Sequence, residues 1–405
     1  MSTVSPKYYD VIIIGAGPGG SMSAYHLARR GFSVLIIDKE EFPRFKPCGG
    51  GLSHRALSLF PYDLTPVIES TVYSFRFSHR FEHSFTHVSR DPLIYGTMRS
   101  KLDDFMLHKA IEKGAEFLGG NKVTGFTETF DQVLVHTLEC EYAASYIIGA
   151  DGVGSITARS FQLTDNVRKG VGIESEIRVD PEMLKSFKGK ACLDWGTFVR
   201  GYAWVFPKTD HLSVGVGGPA SLAKYLKPYY FRFLKSLEIE HVEILSFRSF
   251  PIPYRTGIGK VQTSRVMVVG DAAGLADPLT GEGIYFAVKS GILAAESIID
   301  VLENRSDHAY RYKERMEEEI FPELLAALPI QSIFNAVPGL IHRKMGKSER
   351  MWRGFRRILR GELTYLDLRV RLGHYKMLWK PMILVARMKE WMKTNEYKFD
   401  SMNKD

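Results

Sequence analysis

Cysteine is scarce in this sequence, and the scarcity excludes two kinds of site. The 405 residues include three cysteines, which stand far apart and form no Cys-x-x-Cys pair: Cys48, Cys140 and Cys192. A disulfide framework requires an even number of cysteines, and a zinc site requires ligands at short, fixed spacings. We therefore expect a reducing, cytoplasmic location and no bound metal.

Long apolar segments are lacking as well. The sequence has no stretch of about 18 uncharged apolar residues, so a membrane-spanning helix is not expected. The apolar run Val11–Ile14 leads directly into a glycine turn, which does not match a cleavable signal. With 45% hydrophobic and 25% charged residues, the composition is that of a soluble globular protein with two or three domains.

Charge is unevenly distributed along the chain. Residues 341–405 contain 17 Lys+Arg and 7 Asp+Glu, whereas the first 340 residues contain 37 and 39. The segments Met351–Leu359 and Met377–Met392 combine basic residues with Trp352, Trp379 and Trp391. Basic helices with aromatic side chains are typical of proteins that lie on a membrane surface. Two alternatives are that these helices complete a substrate cavity or that they form a surface for an acidic electron carrier. Binding to nucleic acid is not expected, because no nucleic-acid-binding motif is present.

The first forty residues have the pattern of a nucleotide-binding βαβ unit. An apolar strand over Tyr9–Ile14 is followed by the turn Gly15–Gly20 (GAGPGG), a helix to Arg30 and a strand over Ser33–Asp38. The G-x-G-x-x-G spacing allows a tight turn, close approach of backbone amides to a pyrophosphate and close helix packing. A carboxylate at the end of the second strand, here Asp38, accepts hydrogen bonds from a ribose.

Two later segments favour FAD over NAD as the nucleotide. Ile148–Gly152 (IGADG) ends a strand in a short acidic turn, and Val269–Ile284 predicts a second strand, turn and helix. Asp271 follows that strand, where it holds the ribityl or pyrophosphate region. Gly281 and Gly283 open the helix, and the positive end of the helix dipole favours the negative charge of a reduced flavin.

These motifs, in this order, resemble the para-hydroxybenzoate hydroxylase-type FAD-dependent oxidoreductases. Within that group, Lys46–Leu52 (KPCGGGL) resembles the Cys-Gly-Gly signature of the geranylgeranyl reductases, and Tyr202–Pro207 (YAWVFP) resembles their Tyr-x-Trp-x-Phe-Pro motif. Val199 departs from the pattern, which often has proline three residues before the tyrosine. The resemblance covers roughly Tyr9 to Asn304. It implies the following set of FAD-binding residues: Gly15, Ala16, Gly17, Gly20, Asp38, Lys39, Arg44, Cys48, Gly49, Gly51, Arg99, Val123, Asp271, Gly281, Gly283 and Ile284.

The elements and the resemblance together predict an α/β fold. A Rossmann-like FAD-binding domain is expected over residues 1–70, 97–165 and 260–305, with an inserted antiparallel β-sheet substrate domain over 71–96 and 166–259. Residues 306–405 are expected to form a basic helical C-terminal region. Gly215–Gly218 (GVGG) is interpreted as a strand edge or turn rather than a second dinucleotide site. The external reductant, NADPH or reduced ferredoxin, therefore has no Rossmann domain of its own.

Four residues are the candidates for catalysis. Tyr202, Trp204 and Phe206 alternate along a strand and point to one face, where aromatic rings stabilise a cation. The same alternation also occurs in any half-buried strand, and the family resemblance favours the functional interpretation. Cys48 lies in a glycine-rich loop, where it relays a proton or orders the loop; inert packing is the alternative.

The resemblance implies an FAD-dependent reductase that saturates C=C bonds of a geranylgeranyl or polyprenyl chain at a membrane surface. An isolated alkene needs a proton at one carbon and a hydride at the carbon that develops positive charge. The first alternative is a monooxygenase of the same fold that activates O₂, and the second is a membrane-docked flavoprotein that carries electrons or binds lipid. The prenyl carrier, whether lipid, pigment, quinone or diphosphate, stays open.

Overall fold

A computed structural model describes residues 6–239, 242–305 and 311–372. The predicted helix Met377–Met392, with Trp379 and Trp391, lies outside the described residues. The strands are β1 (Lys7–Ile14), β2 (Val34–Ile37), β3 (Gly51–Ser53), β4 (Ile68–Val72), β5 (Ser74–His79), β6 (Glu82–Val88), β7 (Ile94–Thr97), β8 (Glu116–Leu118), β9 (Val123–Glu128), β10 (Val133–Thr137), β11 (Glu141–Gly149), β12 (Val167–Arg178), β13 (Lys190–Trp195), β14 (Tyr202–Pro207), β15 (Leu212–Pro219), β16 (Glu243–Arg255) and β17 (Val266–Val268). The helices are α1 (Pro18–Ala28), α2 (His54–Leu57), α3 (Arg99–Ile111), α4 (Ile156–Ser160), α5 (Pro181–Ser186), α6 (Leu226–Ser236), α7 (Ile284–Leu302), α8 (Arg311–Glu319), α9 (Phe321–Ala336), α10 (Pro338–Lys347), α11 (Glu349–Leu359) and α12 (Tyr365–Leu372).

The chain divides into two compact units, each made of three segments. Unit 1 comprises the residues up to 46, 99–168 and 252–324, and unit 2 comprises 47–98, 169–251 and those from 325 onward. These bounds differ from the predicted ones chiefly for residues 47–70, which belong to unit 2, and for residues 252–259 and 311–324, which belong to unit 1. The first difference follows from the pairing of strands, because β3 and β4 both pair with β7 in a small three-stranded sheet.

Unit 1 is built on a seven-stranded sheet whose central strands are parallel. The order is β8-β2-β1-β11-β10-β9, with β17 also paired to β11. β1 pairs in parallel with β2 and β11, so that Ile13 lies between Ile36 and Ile148. These strands are apolar on both faces because both faces are covered, as is typical of parallel sheets. The predicted α/β fold with a Rossmann-like unit is confirmed.

The first helix of unit 1 packs closely on α7. A Cβ on Gly19 would lie 3.0 Å from the carbonyl oxygen of Ala287, and one on Gly291 would overlap the carbonyl oxygen of Gly19. The Ser23 hydroxyl donates to the carbonyl oxygens of Gly19 and Gly291 at 2.8 and 2.9 Å. The small residues thus bring the starts of the two helices to one side of the sheet.

Unit 2 is built on a second seven-stranded sheet, in the order β16-β12-β15-β14-β13-β5-β6. Its pairs are mostly antiparallel, as predicted, but β5 and β13 pair in parallel. Gly215–Gly218 lies within β15, which pairs with β12 on one side and β14 on the other. The interpretation of this segment as a strand edge or turn is therefore wrong.

The two faces of the unit 2 sheet carry different side chains. On one face, which we call the aliphatic face, Ala203 and Val205 of β14 pack with α6 through Tyr230 and Phe233. The opposite face, which we call the aromatic face, has the side chains of β5, β13 and β14 that alternate with these: Phe75, Phe77, Trp195, Tyr202, Trp204 and Phe206. Alternation along the strands separates the two sets.

The helices α10 and α11 pack on the aromatic face. Trp352 is only 2% exposed, and its ring stacks on His87 with centroids 4.9 Å apart. Phe355 contacts Phe75 and Phe77 at 5.3 and 5.5 Å between ring centroids. The Trp352 ring is therefore part of the core of unit 2 and not exposed. Contact of the basic helices with a membrane stays a prediction.

Within the described ranges, no single helix is long and apolar enough to cross a membrane. One bent pair, Arg311–Ala336 with Pro338–Lys347, meets the requirement by length and composition, with an angle of 96° between its members.

Candidate functional site

The glycine turn of unit 1 is shaped by backbone contacts. Gly15 has φ +102°, and a Cβ there would lie 2.5 Å from the carbonyl oxygen of Ala150. A Cβ on Gly20 would overlap the carbonyl oxygen of Gly15. Gly17 precedes α1 as its N-cap, so the helix starts with its amides facing the turn. This is the geometry in which a turn and a helix N-terminus hold a pyrophosphate.

Asp38 connects this turn to the end of β2. Its carboxylate accepts hydrogen bonds from the amides of Ala16 at 2.7 Å and Glu40 at 2.9 Å, and it is 8% exposed. A carboxylate has about four lone-pair sites, so two remain for the hydroxyls of a ribose. Asp38 thus positions the turn and still has the capacity that a dinucleotide requires.

The second predicted segment forms the start of α7. Gly283 is the N-cap of α7, and no side chain among the described residues caps it by a hydrogen bond. A Cβ on Gly283 would lie 3.6 Å from Oδ1 of Asp271, so this carboxylate lies beside the helix start. Gly281 has φ +71°, a conformation that glycine adopts without strain. Ile284 opens the helix and is buried.

Basic side chains of unit 1 gather around one buried carboxylate. Arg99 binds both oxygens of Asp103 at 2.7 Å, and Arg44 Nη2 lies 3.0 Å from Asp103 Oδ2. Arg44 Nη2 also lies 3.7 Å from the Cβ position of Gly17, which places a guanidinium beside the glycine turn. Burial lowers the pKa of Lys46, which has Asp271, Arg99 and Arg44 as charged neighbours. The cluster thus contains three basic residues, Arg44, Lys46 and Arg99, and two acidic ones, Asp103 and Asp271. An excess of basic residues favours the binding of a phosphate group.

The surroundings of the remaining predicted cofactor residues of unit 1, and of the Ala-Asp-Gly turn, indicate no particular ligand. Lys39 is exposed and lies 3.7 Å from Glu40, while Val123 is a buried core residue at the start of β9. Asp151, in the Ala-Asp-Gly turn, accepts from Ser155 Oγ at 2.5 Å and from the Thr157 amide at 3.1 Å. Burial raises the pKa of Asp151, although these hydrogen bonds oppose the shift.

In unit 2, the structure brings together the two motifs that carried the family resemblance. A Cβ on Gly49 would lie 2.9 Å from Nε1 of Trp204 and 3.2 Å from Cδ2 of Phe206. A Cβ on Gly51 would lie 3.6 Å from Cζ of Phe206. Cys48 Sγ accepts a hydrogen bond from the Gly50 amide at 3.4 Å. The Cys-Gly-Gly loop therefore lies directly on the aromatic strand, and glycine is needed at position 49 because the rings occupy the space of a side chain.

Tyr202 and Trp204 form one aromatic surface next to this loop. Their ring centroids lie 5.5 Å apart at an interplanar angle of 50°. The Trp204 ring extends across the neighbouring strand, since a Cβ on Gly215 would overlap it. Gly215 is thus explained by ring packing inside the sheet, as is Gly218, whose Cβ would lie 2.7 Å from the Phe198 ring.

Lys208 was missed by the sequence interpretation. It is 3% exposed, and its Nζ donates to the carbonyl oxygens of Gly49 at 2.8 Å and Thr97 at 2.9 Å. Lys208 thereby fastens the Cys-Gly-Gly loop to the end of β7. Its place directly after the Tyr-x-Trp-x-Phe-Pro motif was the available signal, but a lysine after a proline predicts a solvated turn. Glu174, Glu176 and His211 were missed as well.

The fold and the site of unit 1 define a class of protein. A glycine turn packed against backbone atoms, the carboxylate of Asp38, a basic cluster and two helix N-termini suit a flavin dinucleotide. The molecule is an FAD-dependent oxidoreductase. In agreement, residues 8–190 match the FAD binding domain family.

Comparison with known proteins identifies the family. The chain is 30% identical over 355 residues to digeranylgeranylglycerophospholipid reductase 2 of Methanothermobacter thermautotrophicus, covering 81% of this chain and 88% of that one. It is 34% identical over 331 residues to an uncharacterised protein of Methanosarcina barkeri, covering 82% and 85%. It is 28% identical over 365 residues to a chloroplastic geranylgeranyl diphosphate reductase of Nicotiana tabacum, covering 82% and 76%. The chain belongs to the geranylgeranyl reductase family, as its motifs predicted.

Solved structures share the fold. A geranylgeranyl bacteriochlorophyll reductase-like protein from Thermoplasma acidophilum matches with a TM-score of 0.75 at 22% identity, over 98% of this chain and 100% of that one. A flavin-dependent brominase matches with a TM-score of 0.73 at 21% identity, over 92% and 100%. One fold thus carries different chemistries, so the reaction has to be argued from the site.

Proposed function

We propose that this protein is an FAD-dependent reductase that saturates C=C bonds of a geranylgeranyl or longer polyprenyl chain. The observation that carries the proposal is the contact of the Cys-Gly-Gly loop with Trp204 and Phe206. The names of the relatives support it, because the two named ones are reductases of geranylgeranyl compounds.

The aromatic face of unit 2 has the properties that alkene reduction requires. FAD, when bound and reduced, supplies the hydride. Protonation of an isolated alkene creates positive charge on the more substituted carbon, and the ring faces of Tyr202 and Trp204 stabilise it. Each aromatic face contributes roughly 0.5–2 kcal/mol to such a cation. The wall is also dry, since Trp204 is 6% exposed and Trp195 5% exposed. Exclusion of water protects the cation from hydration.

Cys48 orders the loop in this proposal. Its sulfur accepts from the Gly50 amide, and Gly50 has φ +60°, so the thiol stabilises a turn that only glycine adopts easily. Lys208 holds the same loop from the other side through the Gly49 carbonyl. Cys48 and Lys208 therefore act as positioning residues for the aromatic wall.

The surroundings of the enzyme follow from its substrate class. A polyprenyl chain resides in or near a membrane, and the exposed basic residues of α10 and α11 suit the anionic surface of a bilayer: Arg343, Lys344, Lys347, Arg350 and Arg353. We place the protein in the cytoplasm as a peripheral membrane enzyme, reduced by NADPH or by an acidic carrier such as reduced ferredoxin.

An anaerobic turnover experiment tests the proposed reaction. The purified protein is reduced with dithionite, mixed with a detergent-dispersed geranylgeranyl lipid or with geranylgeranyl diphosphate, and followed by flavin absorbance and mass spectrometry. We expect oxidised flavin to return together with products that gain two hydrogen atoms per bond.

The other outcomes contradict the proposal in distinct ways. Flavin that stays reduced until air enters, followed by an oxygen-containing product, assigns the monooxygenase reaction. Lipid binding without a chemical change assigns an electron carrier or lipid-binding flavoprotein.

A further inference from the structure

Two carboxylates of β12 lie on the aromatic face of unit 2. The strand register pairs Glu174 with Gly215 and Gly215 with Trp204, and side chains of directly paired residues point to the same face. One step along, Glu176 pairs with Ser213, which pairs with Phe206. The two carboxylates therefore lie on the same face of the sheet as the rings. They are two strands away from the rings, with Gly215 and Ser213 of β15 between. Neither position was recognisable from sequence as part of the aromatic wall.

Glu174 is held in its protonated form at neutral pH. It is 2% exposed, and the Ser213 hydroxyl donates to its Oε1 at 2.9 Å. Burial, followed by the charge of Glu176, raises the pKa of Glu174 to about 8. The hydrogen bond from Ser213 opposes the shift without cancelling it. A carboxylic acid is thus available in a dry environment, and such a group is a suitable general acid near neutral pH.

A histidine connects this pair of carboxylates to solvent. His211 Nε2 lies 2.9 Å from Glu176 Oε2, and His211 Nδ1 lies 2.6 Å from Asp210 Oδ1. The side-chain exposure rises from 7% at Glu176 to 10% at His211 and 73% at Asp210. Burial lowers the pKa of His211, but its hydrogen bonds with Glu176 and Asp210 outweigh burial and raise the pKa overall.

The same turn connects the carboxylates to the Cys-Gly-Gly loop. The Lys208 amide donates to the carbonyl oxygen of His211 at 2.9 Å, so both residues are fixed by one turn between β14 and β15. Burial lowers the pKa of Lys208, and the charge of Glu176 is the largest effect that opposes this shift. Cys48 and Glu174 are further neighbours of the amine. The loop and the two carboxylates are therefore neighbours of a single buried amine.

We infer that Glu174 donates the proton in the alkene reduction proposed above, and that Glu176, His211 and Asp210 return a proton to it from solvent. This inference rests on the proposed function. In each turnover one C=C π bond breaks and two C–H bonds form, one with the Glu174 proton and one with the hydride of the reduced flavin. The alkene is reduced, the flavin is oxidised, and Glu174 is left as a carboxylate that must be reprotonated.

A purely structural role for these groups makes a different prediction. A buried charged cluster often contributes little net stability, and neutral replacements of similar shape are tolerated. In a structural cluster Glu174→Gln would leave the kinetics unchanged, because the amide keeps the oxygen that accepts from Ser213. In the proposed relay the same substitution removes the transferred proton.

Single-turnover kinetics separate the two roles. The protein is reduced anaerobically with dithionite, mixed with a dispersed geranylgeranyl lipid, and the return of oxidised flavin is recorded. Glu174→Gln is expected to slow the first turnover by on the order of 100-fold, as is typical for loss of a general acid. His211→Gln is expected to leave the first turnover unchanged and to slow later turnovers with excess dithionite about tenfold, because only reprotonation is affected.

The matched control is Asp194→Asn. Asp194 is a buried carboxyl of the same sheet, but it pairs with Ala203 and thus faces the aliphatic side. It accepts from Ser78 Oγ and the Phe81 amide, each at 2.8 Å. Burial raises its pKa to about 6, so it is, like Glu174, a buried carboxyl whose pKa is raised by burial, although by less. Asp194→Asn is expected to turn over like the wild type.

The pH profile gives a readout that packing alone does not change. Turnover by the wild type is expected to fall as pH rises through about 8, where Glu174 loses its proton. The charged groups that act on the relay residues are Lys208, beside Glu174, and Arg178, beside Asp210. Cys48 and Glu69 act in turn on Lys208. His211→Gln should shift the profile, and Asp194→Asn should leave it in place.

Infrared spectroscopy tests the proton without turnover. The oxidised protein at pH 7 is expected to show the C=O stretch of a buried protonated carboxyl that Glu174→Gln removes and Asp194→Asn retains. Absence of that band overturns the relay. Equal first-turnover rates for Glu174→Gln and wild type also overturn it, while the proposed function stands. A wild type that never oxidises its flavin with prenyl substrate overturns the proposed function and the proton transfer together, whatever the infrared result.

Discussion

In unit 1, Gly15 and Gly20 of the glycine turn pack against backbone atoms, whereas in unit 2, Gly49 of the Cys-Gly-Gly loop packs against aromatic side chains. A Cβ at Gly15 would meet the Ala150 carbonyl, but one at Gly49 would meet the rings of Trp204 and Phe206. Both segments are rich in glycine, and their glycines serve different ends. The first makes room for a cofactor phosphate beside helix amides, and the second makes room for an aromatic wall.

This difference explains why the first site is recognised from sequence almost completely and the second only in part. A site made of backbone amides needs glycines at fixed spacing, so its pattern is local along the chain. A site made of side chains depends on strand register, so its members come from β12, β14 and β15 without a common local motif.

The largest expected effect is the loss of bound flavin when the glycine turn Gly15–Gly20 is changed. Gly15→Ala places a Cβ 2.5 Å from the Ala150 oxygen and imposes φ +102° on alanine, so we expect protein without bound flavin. Flavin absorbance per protein after purification measures this. Gly31→Ala is the control, because Gly31 has φ +86° with nothing within 4 Å of its Cβ position. If Gly31→Ala also lacks flavin, backbone strain alone explains the loss and the clash is irrelevant.

The second prediction concerns stability against pH. The pKa of Glu174 is raised from 4.5 to about 8, so the folded state keeps a proton that the unfolded state releases. The free energy of unfolding is therefore expected to fall as pH rises between these values, by up to about 1.4 kcal/mol per pH unit. Urea denaturation at several pH values should show a flatter dependence for Glu174→Gln than for the wild type. Identical slopes would contradict the protonated state of Glu174.

The third prediction concerns Lys208, whose amine holds the Cys-Gly-Gly loop in place beside the aromatic strand. Lys208→Met removes the donor to the Gly49 and Thr97 carbonyls and leaves two buried acceptors without it. We expect a loss of about 2 kcal/mol in the free energy of unfolding, together with slower prenyl reduction and normal flavin content. Lys224→Met, on an exposed lysine, is the control. A loss of flavin from Lys208→Met would instead show that this loop of unit 2 is needed for cofactor binding.

The smallest expected effect isolates the aromatic surface. Trp204→Phe keeps a ring face, whereas Trp204→Leu keeps only apolar bulk. If the ring stabilises a cation, the leucine variant reduces the alkene about tenfold more slowly than the phenylalanine variant. Single-turnover flavin oxidation compares the two, and thermal unfolding verifies that their stabilities match. Equal rates would assign Trp204 to packing alone.

Several elements were predictable because their signals are local. The strand before Gly15, the turn, α1 and Asp38 follow from apolar runs, glycine spacing and a terminal carboxylate. The aromatic alternation of β14 also predicted that Tyr202, Trp204 and Phe206 share a face. Residues 47–70 were assigned to the wrong side of a boundary, because the pairing of β3 and β4 with β7 is non-local.

The sequence by itself determined the flavin-binding unit, the family and the aromatic strand. The reason is that the glycine turn and the alternation along a strand depend on residues that are close together in the chain. Only the tertiary structure decided that the Cys-Gly-Gly loop lies on Trp204, that Trp352 belongs to the core and that Lys208 is buried. It also placed Glu174 and His211 on either side of Glu176. Each of these facts depends on the register of strands distant in sequence, and register follows from the packing of whole faces.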